Sequence, residues 1–220
     1  MEPTEHPRVK ICCISSVEEM RLAVRSGAAA VGLVSAMPSG PGVIAEEEIR
    51  RIAAVVPPGV ASFLLTSLQD VPAIIEQQRR CRTNTLQLTD RLEVGTYQEL
   101  REALPSIGIV QVIHVTGEAS LEEAISIAPQ VEALLLDSGN QALTIKELGG
   151  TGRVHDWAIS RRIRERVGVP VYLAGGLNAG NVAQAIAQVG PFGLDLCSGV
   201  RSDGRLDEAK LARLFGAIKG

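Results

Sequence analysis

Along the chain, short apolar runs alternate with segments whose apolar positions recur at helical spacing. The runs fall at 9–14, 30–34, 60–65, 85–88, 109–115, 133–136, 171–174 and 193–196. The helix-period segments fall at 16–26, 46–56, 71–80, 96–104, 121–127, 156–167, 180–189 and 206–218. Each run is too continuously apolar for a sheet with one wet face, yet short enough for a strand buried on both faces. Eight strand–helix units of roughly 25 to 30 residues each predict an α/β chain closed into a (β/α)8 TIM barrel. A doubly wound open sheet would instead place a glycine-rich turn after the first strand. Here that place holds Cys12-Cys13-Ile14, and the glycine-rich turns come late. We therefore expect a single barrel domain over residues 1–220. The longest irregular stretches, 35–44 and 138–155, both follow a strand. Both should lie at the C-terminal face, where barrels of this kind build their sites.

Composition narrows the partners. Hydrophobic residues make up 45% but aromatics only 3%, so the core is mostly Ala, Val, Ile and Leu. Lys plus Arg number 22 against 25 Asp plus Glu, a net charge of −3. No basic excess invites nucleic acid or an anionic membrane, which leaves small ligands. No apolar run approaches the length of a membrane span, and the first residues lack a signal pattern. Cys12, Cys13, Cys81 and Cys197 show neither CxxC spacing nor a secretory framework. Reduced thiols and a cytoplasmic location are expected. No metal-ligand spacing stands out, so no metal is expected.

Three glycine clusters occupy the last third: Gly149-Gly150-Thr151-Gly152, Gly175-Gly176 and Ser198-Gly199. The second and third follow the seventh and eighth strands, where such barrels commonly hold phosphate. Glycine there lets backbone N–H groups approach an anion with no Cβ in the way, and a helical turn begun at Ser198 would add its dipole. Any one cluster alone reads more readily as turn chemistry; it is the pair after the seventh and eighth strands that points to phosphate.

Alternation along the first strand puts Lys10, Cys12 and Ile14 on one face and Ile11 and Cys13 on the other. A lysine is a poor neighbour for apolar helices, so its face is expected to be the barrel interior, with Cys13 outside. In the sixth run, Asp137 shares a face with Leu135 and should point into the barrel mouth. A thiol and a carboxyl across one pocket suit general base and general acid. The plainer alternatives are a small buried hydrophobe for Cys12 and a turn residue for Asp137. Asp195, polar in an apolar strand, is expected to pair with Lys10 across the barrel or to contact ligand. His114 ends an apolar strand and reads as a core or rim residue.

Taken in order, several motifs resemble one family. They are Lys10-Ile11-Cys12, Leu135-Leu136-Asp137, Gly149-Gly150-Thr151-Gly152 before Asp156-Trp157, Leu173-Ala174-Gly175-Gly176-Leu177 with Asn181-Val182, and Asp195 leading to Ser198-Gly199-Val200. Together they are similar to the phosphoribosylanthranilate isomerases of tryptophan biosynthesis. The resemblance implies a cofactor-free Amadori rearrangement of a phosphorylated small-molecule substrate. In it, protonated Asp137 opens the sugar ring and Cys12, as thiolate, removes the C2 proton. The phosphate-binding residues would be Gly150, Thr151, Gly152, Gly175, Gly176, Ser198 and Gly199, with Asp195 beside the substrate. Where the family has Ser-Pro-Arg after the second strand, this chain has Ser39-Gly40-Pro41-Gly42; its Gln-Leu-His-Gly is Gln87-Leu88-Thr89-Asp90. Arg201 stands where an acidic residue is usual and is the candidate to anchor the aglycone carboxylate. Two alternatives stay open: a related barrel acting on another phosphosugar, and a non-catalytic phosphometabolite binder. A homodimer is compatible with each.

Overall fold

A computed structural model of the chain describes residues 6–139 and 156–219. Eight parallel strands hydrogen-bond in sequence order and close into a barrel. They are β1 (Arg8–Ile11), β2 (Ala30–Val34), β3 (Ala61–Thr66), β4 (Thr85–Leu88), β5 (Gly108–His114), β6 (Ala133–Asp137), β7 (Val171–Leu173) and β8 (Gly193–Leu196). Around them lie α1 (Val17–Ser26), α2 (Glu46–Ala53), α3 (Val71–Cys81), α4 (Tyr97–Ala103), α5 (Ala119–Ile127), α6 (Trp157–Arg166), α7 (Val182–Val189) and α8 (Glu208–Lys219). The expected (β/α)8 barrel is the observed one.

Side-chain alternation on the strands builds two cores. Outward residues such as Ile11, Leu33, Leu64, Leu86, Leu134 and Leu136 pack against Met20, Ile49, Ile74, Leu100 and Ile163 of the helices. Inward residues such as Ala30, Val34, Phe63, Leu65, Val112, Leu135 and Tyr172 fill the barrel. Tyr172 meets Phe63 and Phe192 edge-on, with centroids 6.0 and 5.5 Å away. A Cβ on Gly193 would stand 2.4 Å from the Tyr172 ring, so glycine at that strand position is what gives the ring room.

Helix ends follow local chemistry. The Ser16 side chain accepts from the Glu19 N–H to start α1, and Gly27, at φ 110°, ends it in the left-handed region. Thr96 and Glu99 close a reciprocal capping box at α4. α2 stops at Ala53, short of the expected 56, ahead of the Pro57-Pro58 pair.

One strand end departs from expectation by more than a residue. β1 stops at Ile11, not at 14, because Cys13 adopts φ 60°, a left-handed conformation rare for a residue with a Cβ. The alternation breaks there. Ile14 packs into the outer core instead of the barrel, and Cys13 joins the inner cluster instead of the helical shell.

Candidate active site

The chain leaves β1 with the Cys12 N–H donated to the Leu196 carbonyl at 2.8 Å, which fixes the thiol at the C-terminal end of the β1–β8 seam. Cys12 lies against β2 at Gly32. A Cβ there would be 2.8 Å from Cys12 Sγ and 3.1 Å from Lys10 Nζ. The missing side chain thus lets a thiol and an ammonium share one strand face. Sequence reading passed over Gly32, although a lone glycine inside an apolar strand signals close approach.

Lys10 is fully buried, and its ammonium donates to Asp195 Oδ1 at 2.8 Å. The two residues are register partners on adjacent strands, so the ion pair runs along the seam and not across the barrel as expected. The ammonium also sits 5.2 Å from the Phe63 ring centroid. Burial acts to lower the Lys10 pKa, but the Asp195 carboxylate and the neighbouring cysteines outweigh it and hold the group above its ordinary value.

Asp137 ends β6 on the inward face with Leu135, as the alternation predicts. Its Oδ1 accepts from the Ser138 N–H at 2.7 Å, and it is the register partner of His114. Burial raises its pKa; the Ser138 N–H and His114 oppose the rise, and Asp195 adds to it. The His114 ring stands with Nε2 3.0 Å from the Thr89 carbonyl, to which that nitrogen donates.

Cys12 and Asp137 line the same cleft, a space of about 650 Å³ opening at the strands' C-terminal ends. Asp195 and Cys13 line it too. One wall is formed after β7 and β8 by Gly175, Gly176, Cys197 and Ser198. Gly175 and Gly176 take φ 84° and 62°, which glycine alone adopts freely. The side-chain amides of Asn178 and Asn181 both donate to the Gly176 carbonyl, at 3.2 and 3.0 Å, and brace the turn. Ser198 opens a single 3₁₀ turn, Ser198–Val200. A Cβ at Gly199 would lie 2.0 Å from the Leu177 carbonyl oxygen, so the two loops pack backbone to backbone. The expected glycines after β7 and β8 are brought together. Gly150, Thr151 and Gly152 lie outside the described residues.

The opposite wall comes from the loop after β2, through Met37, Ser39, Gly40 and Pro41, from Gln87 of β4 and from Thr89 just beyond it. Gln87 is 3% exposed, and its Oε1 has no hydrogen-bond partner among the described residues. That orphaned acceptor beside the cleft escaped the sequence reading, where Gln87 counted only as part of a motif.

Arg201 does not serve this wall. Its guanidinium pairs with Glu19 at 2.9 Å and donates to the Cys12 and Cys13 carbonyls at 3.1 and 2.6 Å. Arg201 is therefore occupied beneath the β1 end, holding the backbone that carries Cys12, and the carboxylate-anchor expectation fails on geometry. Among the described residues, none lining the cleft is cationic.

The chain has relatives along almost its whole length. The family model for N-(5'phosphoribosyl)anthranilate (PRA) isomerase matches residues 9–217. An N-(5'-phosphoribosyl)anthranilate isomerase 2 of Methanosarcina mazei is 34% identical over 214 residues, covering 96% of this chain and 94% of its own. The phosphoribosyl anthranilate isomerase of Thermotoga maritima superposes with a TM-score of 0.80 at 30% identity, covering 97% of this chain and 98% of that one. An isomerase bound to reduced 1-(o-carboxyphenylamino)-1-deoxyribulose 5-phosphate gives a TM-score of 0.77 at 28% identity over 97% of this chain and 98% of that one. With the fold and nearly the whole length in common, the chain belongs to the N-(5'-phosphoribosyl)anthranilate isomerase family.

Proposed function

We propose that this cleft carries out the family's isomerisation with Asp137 as general acid and Cys12 as general base. One observation carries the reading: a thiol from β1 and a buried carboxyl of raised pKa from β6 line a single cleft walled on one side by glycine backbone. The substrate is N-(5-phosphoribosyl)anthranilate. Neutral Asp137 donates its proton to the furanose ring oxygen as the C1–O bond breaks, and the anthranilate nitrogen completes an iminium at C1. That cation acidifies C2–H, and the Cys12 thiolate takes the proton. The enolamine then tautomerises to the 1-deoxyribulose ketone. Proton transfers alone complete the reaction, so no redox or metal group is required.

Each group's environment fits its task. A carboxyl can donate near neutral pH only if its pKa is raised, and burial raises that of Asp137. The missing side chain of Gly32 leaves room for the Lys10 ammonium and the Cys12 sulfur side by side, so a cation stands near the base. Gly175, Gly176, Ser198 and Gly199, with Gly150, Thr151 and Gly152, are assigned to the phosphate, and Asp195 to the sugar hydroxyls. The anthranilate ring is assigned to the wall of Met37 and Pro41, with the Gln87 amide as a neutral donor in place of a cation. A cytoplasmic enzyme with reduced thiols is the corresponding location. A homodimer is the corresponding assembly, since a Thermotoga maritima relative is described as dimeric; sedimentation of the purified chain tests it.

The deciding experiment follows loss of phosphoribosylanthranilate fluorescence with freshly generated substrate. Turnover by the parent chain, abolished in Cys12→Ala and in Asp137→Asn, is the expected result. A folded parent that binds inorganic phosphate yet leaves the fluorescence unchanged would instead support a phosphometabolite-binding role.

A further inference from the structure

The acid–base scheme uses one thiol, yet three meet at the top of the β1–β8 seam. Ile11 pairs with Leu196, so Cys12-Cys13 and Cys197 leave adjacent strand ends together. The left-handed φ of 60° at Cys13 turns its side chain from the helical shell into the barrel and toward β8. Cys13 Sγ and Cys197 Sγ then stand 2.7 Å apart, both lining the cleft. A disulfide bond of ~2.05 Å needs only a small further approach. Gly42 from the loop after β2 closes over the pair, since a Cβ there would be 2.5 Å from Cys13 Cβ and 3.1 Å from its sulfur.

We propose that Cys13 and Cys197 form an oxidisable dithiol site in the wall of the cleft, which a peroxide converts to a disulfide and a thiol reductant restores. Cys197 is the attacking sulfur. It is only partly buried, and its hydrogen bond with Cys13 and the nearby Arg201 guanidinium lower its pKa. Cys13 is the resolving sulfur, its pKa raised by the neighbouring Cys12 and Cys197 thiols and by burial. In the first step the Cys197 thiolate attacks one peroxide oxygen and the O–O bond breaks. A sulfenic acid forms, and the departing hydroxide takes a proton to become water. In the second step Cys13 sulfur attacks Cys197 sulfur. The S–S bond forms, the S–O bond breaks, and the hydroxyl leaves as water with the Cys13 proton. Two thiols lose two electrons, and one peroxide becomes two waters.

The consequence for Cys12 follows from adjacency. Cys12 directly precedes Cys13, and both line the cleft. Once Cys13 and Cys197 are joined, the cleft wall between β1 and β8 is tied beside Cys12. Formation of the cross-link does not depend on the isomerase reading; only its effect on turnover does.

The test treats the full chain with stoichiometric hydrogen peroxide, blocks free thiols, and maps tryptic peptides by mass spectrometry beside an activity assay. The expected result is peptide 11–21 linked to peptide 167–201, two free thiols left of four, and roughly hundredfold lower turnover recovered with dithiothreitol. The link should persist in Cys12→Ala and vanish in Cys13→Ala. Cys197→Ser should keep its own untreated rate after the same dose. Four free thiols after treatment, or a link lost in Cys12→Ala and kept in Cys13→Ala, would overturn the proposal. So would Cys197→Ser losing activity as readily as the parent. A link without loss of turnover would leave the oxidisable site standing and remove only its control of the reaction. A parent that forms the link but has no turnover before oxidation would instead count against the isomerase reading.

Discussion

The two walls of the cleft are built on different rules. After β7 and β8 the wall is backbone: Gly175 and Gly176 in left-handed turns, braced by Asn178 and Asn181, with Gly199 against the Leu177 carbonyl. After β2 and β4 it is side chains and a Gly-Pro loop, with an uncharged Gln87 and Thr89 and no cationic residue among those described. The first wall has a geometry that an added Cβ would spoil, which suits the phosphate site proposed for it. The second presents side chains, which substitution alters one residue at a time.

The largest effect should fall between the walls, where both depend on the same pair. Asp137→Asn is expected to lower kcat by roughly 10²–10⁴ with the fold intact by circular dichroism. In the parent, activity should fall on the alkaline side as pH passes the raised Asp137 pKa, and the variant should lose that limb. The stability sign runs the same way. Because the folded-state pKa lies above the unfolded value, the stabilising preference for the neutral carboxyl is fully present at low pH. It is lost as pH rises through the folded value. A parent whose rate climbs steadily with pH through that range would contradict the acid role.

Beneath both walls, Lys10→Met leaves Asp195 buried without its partner and should cost about 3–5 kcal/mol in urea unfolding. The double change Lys10→Met with Asp195→Leu should recover much of that stability while activity stays low. If the double variant is no more stable than the single, the pair is not the source of the loss.

The backbone wall is probed by Gly199→Ala. The new methyl meets Leu177 oxygen at 2.0 Å, so one loop must move, at about 1–3 kcal/mol of stability. KM and the affinity for inorganic phosphate should both weaken. A fully stable variant with unchanged KM would show that the loops do not hold each other.

The smallest effect on stability belongs to the side-chain wall. Gln87→Leu removes an acceptor that has no partner among the described residues, so stability should stay within about 1 kcal/mol or improve. KM for phosphoribosylanthranilate should rise while phosphate affinity holds. Weakening of both together would mean that the two walls are not independent.

The sequence by itself determined the barrel, because parallel strands buried on both faces must be written as short apolar runs, and eight of them admit few closures. It also determined the inward aim of Asp137, since alternation continues unbroken to the end of β6. Tertiary structure decided the rest. Alternation predicted Cys13 outside and Ile14 inside, but a single left-handed residue reversed both, and no local pattern announces that φ. Arg201 read as a free cation at a loop, whereas Glu19 and two backbone carbonyls from elsewhere in the chain had claimed it. Gly32 and the meeting of Cys13 with Cys197 are likewise facts of one strand lying beside another. Periodicity records which face a residue seeks, a local property of the backbone. Which groups then meet on that face depends on strand register and on contacts between residues far apart in sequence.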